Sequence, residues 1–148
     1  MKLTTDMPVA DIEAWLRCND AEQIETLTRT ADIIRRANVG DAVHLRGLVE
    51  IGNYCVRACE YCGLRFDNKG LSRYRMSEQE IMDCAQQAVQ FGYGTLVMQS
   101  GADYGFKTEF IARIVRRVKA ETPLAVTLSI GERPDADIKE WSNAGADR

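Results

Sequence analysis

The chain has 148 residues, 45% apolar and 28% charged, the balance of an ordinary soluble domain that can bury a core. Its 19 basic and 22 acidic residues leave a net charge of -3 with no overall basic footprint, which argues against a nucleic-acid partner. No apolar run approaches the ~20 residues a membrane-spanning helix needs, and the polar start MKLTTDMPVADIEAW lacks the apolar stretch of a secretory signal, so a cytoplasmic location is expected.

Residues 11–16 predict a short helical turn. From Asp20 to Ala37, Ile24, Leu27, Ala31 and Ile34 recur at steps of three and four, which predicts an amphipathic helix ending near Gly40. Residues 1–40 are therefore expected to form a helical N-terminal extension. Val43 to Ile51 then alternates at period two between glycine-bearing borders, predicting a first strand.

The segment YCVRACEYCGLR follows. Beyond it, Ser77-Glu78-Gln79-Glu80 is a capping-box pattern, opening a helix whose apolar positions Ile81, Cys84, Ala85, Ala88 and Phe91 share one face and which Gly92 ends. Thr95 to Met98 predicts a short, doubly buried strand. Phe110, Ile111, Ile114, Val115 and Val118 trace the next helix, which Pro123 stops, and Leu124 to Leu128 give a third strand. A last helix, Asp135 to Ala144, carries Ile138 and Trp141.

Strands alternating with helices predict an α/β fold with a parallel sheet, because each crossover helix buries its stripe on the strands it connects. Three βα units over residues 41–148 are too few for an eightfold barrel of about 250 residues. The expectation is the N-terminal part of a β/α barrel, with a fourth strand due to begin near Asn143 to Arg148.

Five cysteines in a chain expected to be cytoplasmic point to metal or redox chemistry rather than to disulfides. Three of them, Cys55, Cys59 and Cys62, lie just past the first strand, at the strand end where parallel α/β folds gather reactive groups. Gln99-Ser100-Gly101 and Ser129-Ile130-Gly131-Glu132 stand at the ends of the next two strands. Closely spaced thiolates suit the corners of an iron-sulfur cubane, and three of them leave one iron open to a small-molecule chelate.

The Cys55-x3-Cys59-x2-Cys62 spacing resembles the signature of the radical S-adenosylmethionine (SAM) superfamily. The surrounding segments VGDAVHLRGLVE (39–50), YCGLR (61–65), RYRM (73–76), QSG (99–101) and TLS (127–129) resemble the HydE-type maturases of FeFe-hydrogenase. The resemblance implies that Cys55, Cys59 and Cys62 hold a 4Fe-4S cluster whose fourth iron takes the amino and carboxylate groups of SAM. It further implies that Tyr61 lines the adenine side, that Gln99, Ser100 and Gly101 contact the SAM amino group, and that Ser129 and Glu132 stand near its methionyl and ribose parts. The implied reaction is reductive cleavage of SAM to a 5'-deoxyadenosyl radical. An organometallic iron precursor is the implied substrate; a low-potential electron donor and other hydrogenase maturation proteins are the implied partners. One departure is visible: family members often carry an acidic residue directly after the glycine of the second motif, where this chain has Ala102 and then Asp103.

Other readings stay open on the residues alone. Cys18, Cys84 or His44 could complete a zinc site, an electron-transfer module could use the same loop, and methylornithine synthase and biotin synthase share the cysteine spacing. A packed or hydrogen-bonded structural role is expected for His44. The basic residues Arg65, Lys69, Arg73 and Arg75 read most simply as a solvated loop.

Overall fold

The computed structural model describes residues 6–148, which divide into two compact units, one ending at Val43 and the other running from His44 to Arg148. The first holds α1 (Val9–Leu16) and α2 (Ala21–Val39). Asp20 caps α2 by accepting from the Gln23 amide at 3.0 Å, and Gly40, at φ +76°, closes it. The stripe anticipated for this helix is not buried: α2 has no buried residue, and Ile24 and Ile34 are exposed. The helix is laced instead by ion pairs along its own surface, Arg29 with Glu25 and Arg36 with Asp32.

The second unit is α/β, in the order β1 (Gly47–Glu50), α3 (Glu78–Gln90), β2 (Thr95–Gln99), α4 (Thr108–Glu121), β3 (Ala125–Ser129) and α5 (Asp135–Asn143). The strands form one parallel sheet in the order β1-β2-β3. Ser77 and Glu80 make the reciprocal capping box at the start of α3. Helix α3 packs on β1 and β2, α4 on β3 and α3, and α5 on α4. Val49, Leu96, Met98 and Val126 therefore meet Ile81, Ala85, Ile111, Val115 and Val118 in a single core on one face of the sheet.

That one-sided cover corrects three expectations. Strand β2 is buried on one face only, with Leu96 and Met98 inside and Thr95, Val97 and Gln99 half-buried on the other. Phe91 and Ile138 share their helical stripes with core residues but lie at the ends and rims of the contact, and both are exposed. Strand β1 begins only at Gly47, since the residues from Val43 to Arg46 have no partner strand to pair with; His44 among them is exposed rather than packed.

At the other edge, where a fourth strand was expected, the backbone of Asp147 donates to the Val126 carbonyl at 2.9 Å and that of Leu128 donates to the Arg148 carbonyl at 2.8 Å. Residues 147 and 148 thus run beside β3. Among the described residues, no helix is long and apolar enough to cross a membrane.

Candidate functional site

The three strands end in step. Glu50, Gln99 and Ser129 are register partners across β1, β2 and β3, and by the alternation of strand side chains all three belong to the face the helices leave uncovered. Leu48, Val97 and Thr127 form the row below; the Thr127 hydroxyl is buried without a hydrogen-bond partner. Beyond this mouth the chain makes three turns that lean on one another.

The first turn carries the cysteines. The backbone of Val56 donates to the Ala102 carbonyl at 3.0 Å, tying the cysteine loop to the turn after β2. Gly101 makes that contact sterically possible: a Cβ there would stand 2.4 Å from the Tyr54 carbonyl oxygen and 2.6 Å from the Cys55 Cβ. Gly131, at φ +78°, presses on the second turn in the same way, since a Cβ at that position would lie 2.4 Å from the Ala102 Cα. Ser100 donates its amide to the Ser129 carbonyl at 3.0 Å. Cys55, Gln99, Ser100, Gly101 and Ser129 are therefore drawn into one neighbourhood by backbone contacts.

Cys55, Cys59 and Cys62 are free, half-buried thiols. The Arg57 amide points at the Cys55 sulfur from 3.4 Å, the Cys62 amide donates to the Cys59 carbonyl at 3.1 Å, and Phe66 closes the loop by donating to the Arg57 carbonyl at 2.8 Å. Among the described residues no three His, Cys, Asp or Glu side chains are gathered as ligands of a single ion. A tetrahedral zinc site would pull its ligands to within about 2.3 Å of one centre, whereas a cubane takes each thiolate at a different iron. Three soft thiols on one loop, beside a glycine with no room for a side chain, are a donor set that a cubane could take, one iron to each.

The remaining site candidates divide. Glu132 meets the cysteine loop through an ion pair with Arg57. Tyr61 stands out by its exposure, at 92%. Cys84 lies half-buried on α3 beside the core, where burial raises its thiol pKa.

Two arginines expected in a solvated loop have structural partners instead. Arg73 donates to the carbonyls of Asn53, Leu64 (2.8 Å), Arg65 (2.7 Å) and Asn68 (3.3 Å), so one guanidinium holds the loop from within. Buried Asn53 assists, donating to the Ser72 carbonyl and accepting from the Tyr74 amide, both at 2.7 Å. Arg75 forks onto Asp103, its Nε at 2.6 Å and Nη2 at 2.9 Å. Burial by itself would raise the Asp103 pKa; the Arg75 hydrogen bonds, the Gly105 amide and the charges of Arg75 and Arg133 outweigh it and hold the carboxyl below the usual range. The acidic residue displaced by one position is thus committed within the protein. Sequence reading missed these roles, and missed Glu50, because backbone carbonyls as acceptors and cross-strand register leave no mark in the local sequence.

No family model matches the chain. Curated relatives do. It is 49% identical over 133 residues to the "[FeFe] hydrogenase maturase subunit HydE" of Thermotoga maritima, an alignment covering 90% of this chain and 38% of the relative. It is 26% identical over 138 residues to the 3-methylornithine synthase of Methanosarcina acetivorans, covering 92% of this chain and 39% of that protein. The crystal structure of methylornithine synthase (PylB) superposes with a TM-score of 0.82 at 25% identity, over 93% of this chain and 41% of that one. The chain spans about two-fifths of the length of these relatives. Its open parallel sheet corresponds to the N-terminal part of a radical SAM barrel. In sequence and in fold alike, the chain belongs with the radical SAM superfamily and matches the N-terminal part of the HydE type.

Proposed function

We propose that this chain is the cluster-binding part of a radical SAM enzyme, with Cys55, Cys59 and Cys62 as the three thiolate ligands of a 4Fe-4S cluster. The observation that carries the reading is the wedge of Gly101 against Cys55, which sets the cysteine loop directly on the Gln99-Ser100-Gly101 turn in a chain 49% identical to a HydE over 133 residues. When bound, the cluster and SAM together supply one-electron reductive cleavage of the sulfonium C5'-S bond, yielding methionine and a 5'-deoxyadenosyl radical.

The protein's own share is placement. Gly101 keeps the second turn close enough for main-chain groups of Gln99 to Gly101 to reach an amino group held beside Cys55. Ser129 and Glu50 supply oxygen acceptors on the row of Gln99, facing the uncovered side of the sheet. Tyr61, exposed at the loop tip, is free to turn over an adenine ring. We further propose that the whole enzyme works in assembly of the FeFe-hydrogenase active site, on an organometallic iron substrate, with a low-potential electron donor; the identity to HydE supports this over a methylornithine or biotin synthase role.

The test is anaerobic reconstitution with iron and sulfide. About four irons and four sulfides per chain, and a reduced-cluster EPR signal that SAM perturbs, are expected. Bound zinc, or a cluster indifferent to SAM, would select the structural or electron-transfer readings instead.

A further inference from the structure

Cys55 sits in a closed ring of contacts. On its N-terminal side, the Tyr54 ring is covered by the Arg75 guanidinium, whose carbon lies 4.0 Å from the ring centroid. On its C-terminal side, the Val56 amide donates to Ala102. Ala102 is followed by Asp103, and Asp103 takes the Arg75 fork. The path Tyr54-Cys55-Val56, across to Ala102-Asp103, across to Arg75 and back to Tyr54 has no gap.

The ring is anchored from outside at its buried corner. Asp103 is 4% exposed and accepts from the Gly105 amide at 2.8 Å. Arg133, on the turn after β3, donates to the carbonyls of Asp103 and Phe106, each at 3.0 Å. Gly105 leaves the space Arg75 occupies, for a Cβ there would fall 2.2 Å from an Arg75 Nη. Neither Arg75 nor Asp103 contributes to the core, and neither is needed for the three cysteines to exist on one loop. What the pair does is fix both neighbours of one of them.

We propose that Arg75 and Asp103 are positioning residues that hold Cys55, through Tyr54 and Val56, at the place where its thiolate meets the cluster and the Gly101 turn. A guanidinium suits this task because one planar group can fork onto a carboxylate with its edge while covering an aromatic ring with its face; an ammonium cannot do both. Opening the ring frees Cys55 while leaving Cys59 and Cys62 on their own turn, held by Phe66 and Arg73.

The part that concerns the cluster rests on the radical SAM reading; the part that concerns the thiol does not, and the experiment separates them. Wild type, Asp103→Asn, Arg75→Met, Arg75→Lys and Tyr54→Leu are compared. Metal-free protein is pulsed with iodoacetamide and each cysteine is quantified by peptide mass spectrometry. Alkylation of Cys55 is expected to rise roughly tenfold in Asp103→Asn and Arg75→Met and less in Arg75→Lys, with Cys18 and Cys84 unchanged.

Reconstituted protein is then titrated with SAM and followed by EPR. The variants are expected to keep their iron while the SAM midpoint rises and the SAM-induced change in the signal shrinks. Tyr54→Leu removes the ring's exposed corner, so it carries the test if the Asp103 or Arg75 variants raise labelling at Cys84 as well and have therefore unfolded. Unchanged Cys55 alkylation in folded variants overturns the ring. A wild-type cluster that ignores SAM, with Cys55 alkylation raised in the variants, overturns the functional reading and leaves the ring standing.

Discussion

Gly101 lies so close to Cys55 that a methyl group on it would stand 2.6 Å from the cysteine Cβ and 2.4 Å from the preceding carbonyl oxygen. One of those neighbours is backbone, so nothing flexible can yield. Gly101→Ala is expected to cost about 1–3 kcal/mol by overpacking. Chemical denaturation measures that loss, and iron content after reconstitution shows whether the cysteine loop has been pushed off its seat. A variant as stable as wild type would mean that the two turns are not in contact.

Removing a proposed cluster ligand has a different signature. Cys59→Ala and Cys62→Ala are expected to leave the fold intact, since both side chains sit on a surface loop, and to abolish SAM cleavage. Circular dichroism and thermal unfolding should match wild type while the SAM-responsive EPR signal disappears. Cleavage surviving in either variant would sink the ligand assignment.

Arg73→Met tests the loop's internal strut. Its guanidinium serves four carbonyls, those of Asn53, Leu64, Arg65 and Asn68. Losing charge-assisted bonds to partly buried acceptors is expected to destabilise by about 2–3 kcal/mol. The damage should be local, with limited proteolysis cutting between residues 57 and 70 well before the β-sheet opens.

The Arg57–Glu132 ion pair joins the cysteine loop to the turn after β3, but both side chains are exposed, at 46% and 82%. Arg57→Ala is expected to change stability by less than about 1 kcal/mol, and less still in high salt. SAM titrations of Arg57→Ala and Glu132→Gln then separate two roles for Glu132. Equal effects mean that it acts through Arg57; a larger effect at Glu132 means that it meets the ligand.

Acid should loosen the β3 edge. The Val126 amide, at 2.7 Å, and Lys119, at 3.1 Å, bind the Asp147 carboxylate and hold its pKa below the ordinary value. A depressed folded pKa means that the stabilisation is complete above the unfolded value near 3.8 and is withdrawn as pH falls through the lower, folded one. Asp147→Asn is therefore expected to be less stable than wild type at pH 7, with the gap in urea midpoints closing as pH drops below about 4. A gap that persists at low pH would refute the linkage.

Much of this protein was legible one residue at a time. Ser77 and Glu80 announced α3, Gly92 its end and Pro123 the end of α4, because caps and breakers act over three or four neighbouring residues. The three-cysteine spacing was legible for the same reason, since ligand type and loop length lie within eight residues, and it underlies the cluster reading proposed above.

What local sequence could not decide was everything that depends on which chain segment arrives from elsewhere. The stripe on α2 promised burial and found none, whereas Arg73 and Arg75 promised solvent and found carbonyls and Asp103. Periodicity states that a face is apolar, but burial needs a partner surface, and hydrogen bonds to main-chain oxygen can be made by any sequence that passes within 3 Å. The register that aligns Glu50, Gln99 and Ser129, and the glycines that let three turns touch, belong to the folded sheet alone. Local sequence set three cysteines on one loop; only the packing of β1, β2 and β3 put Gly101 against Cys55.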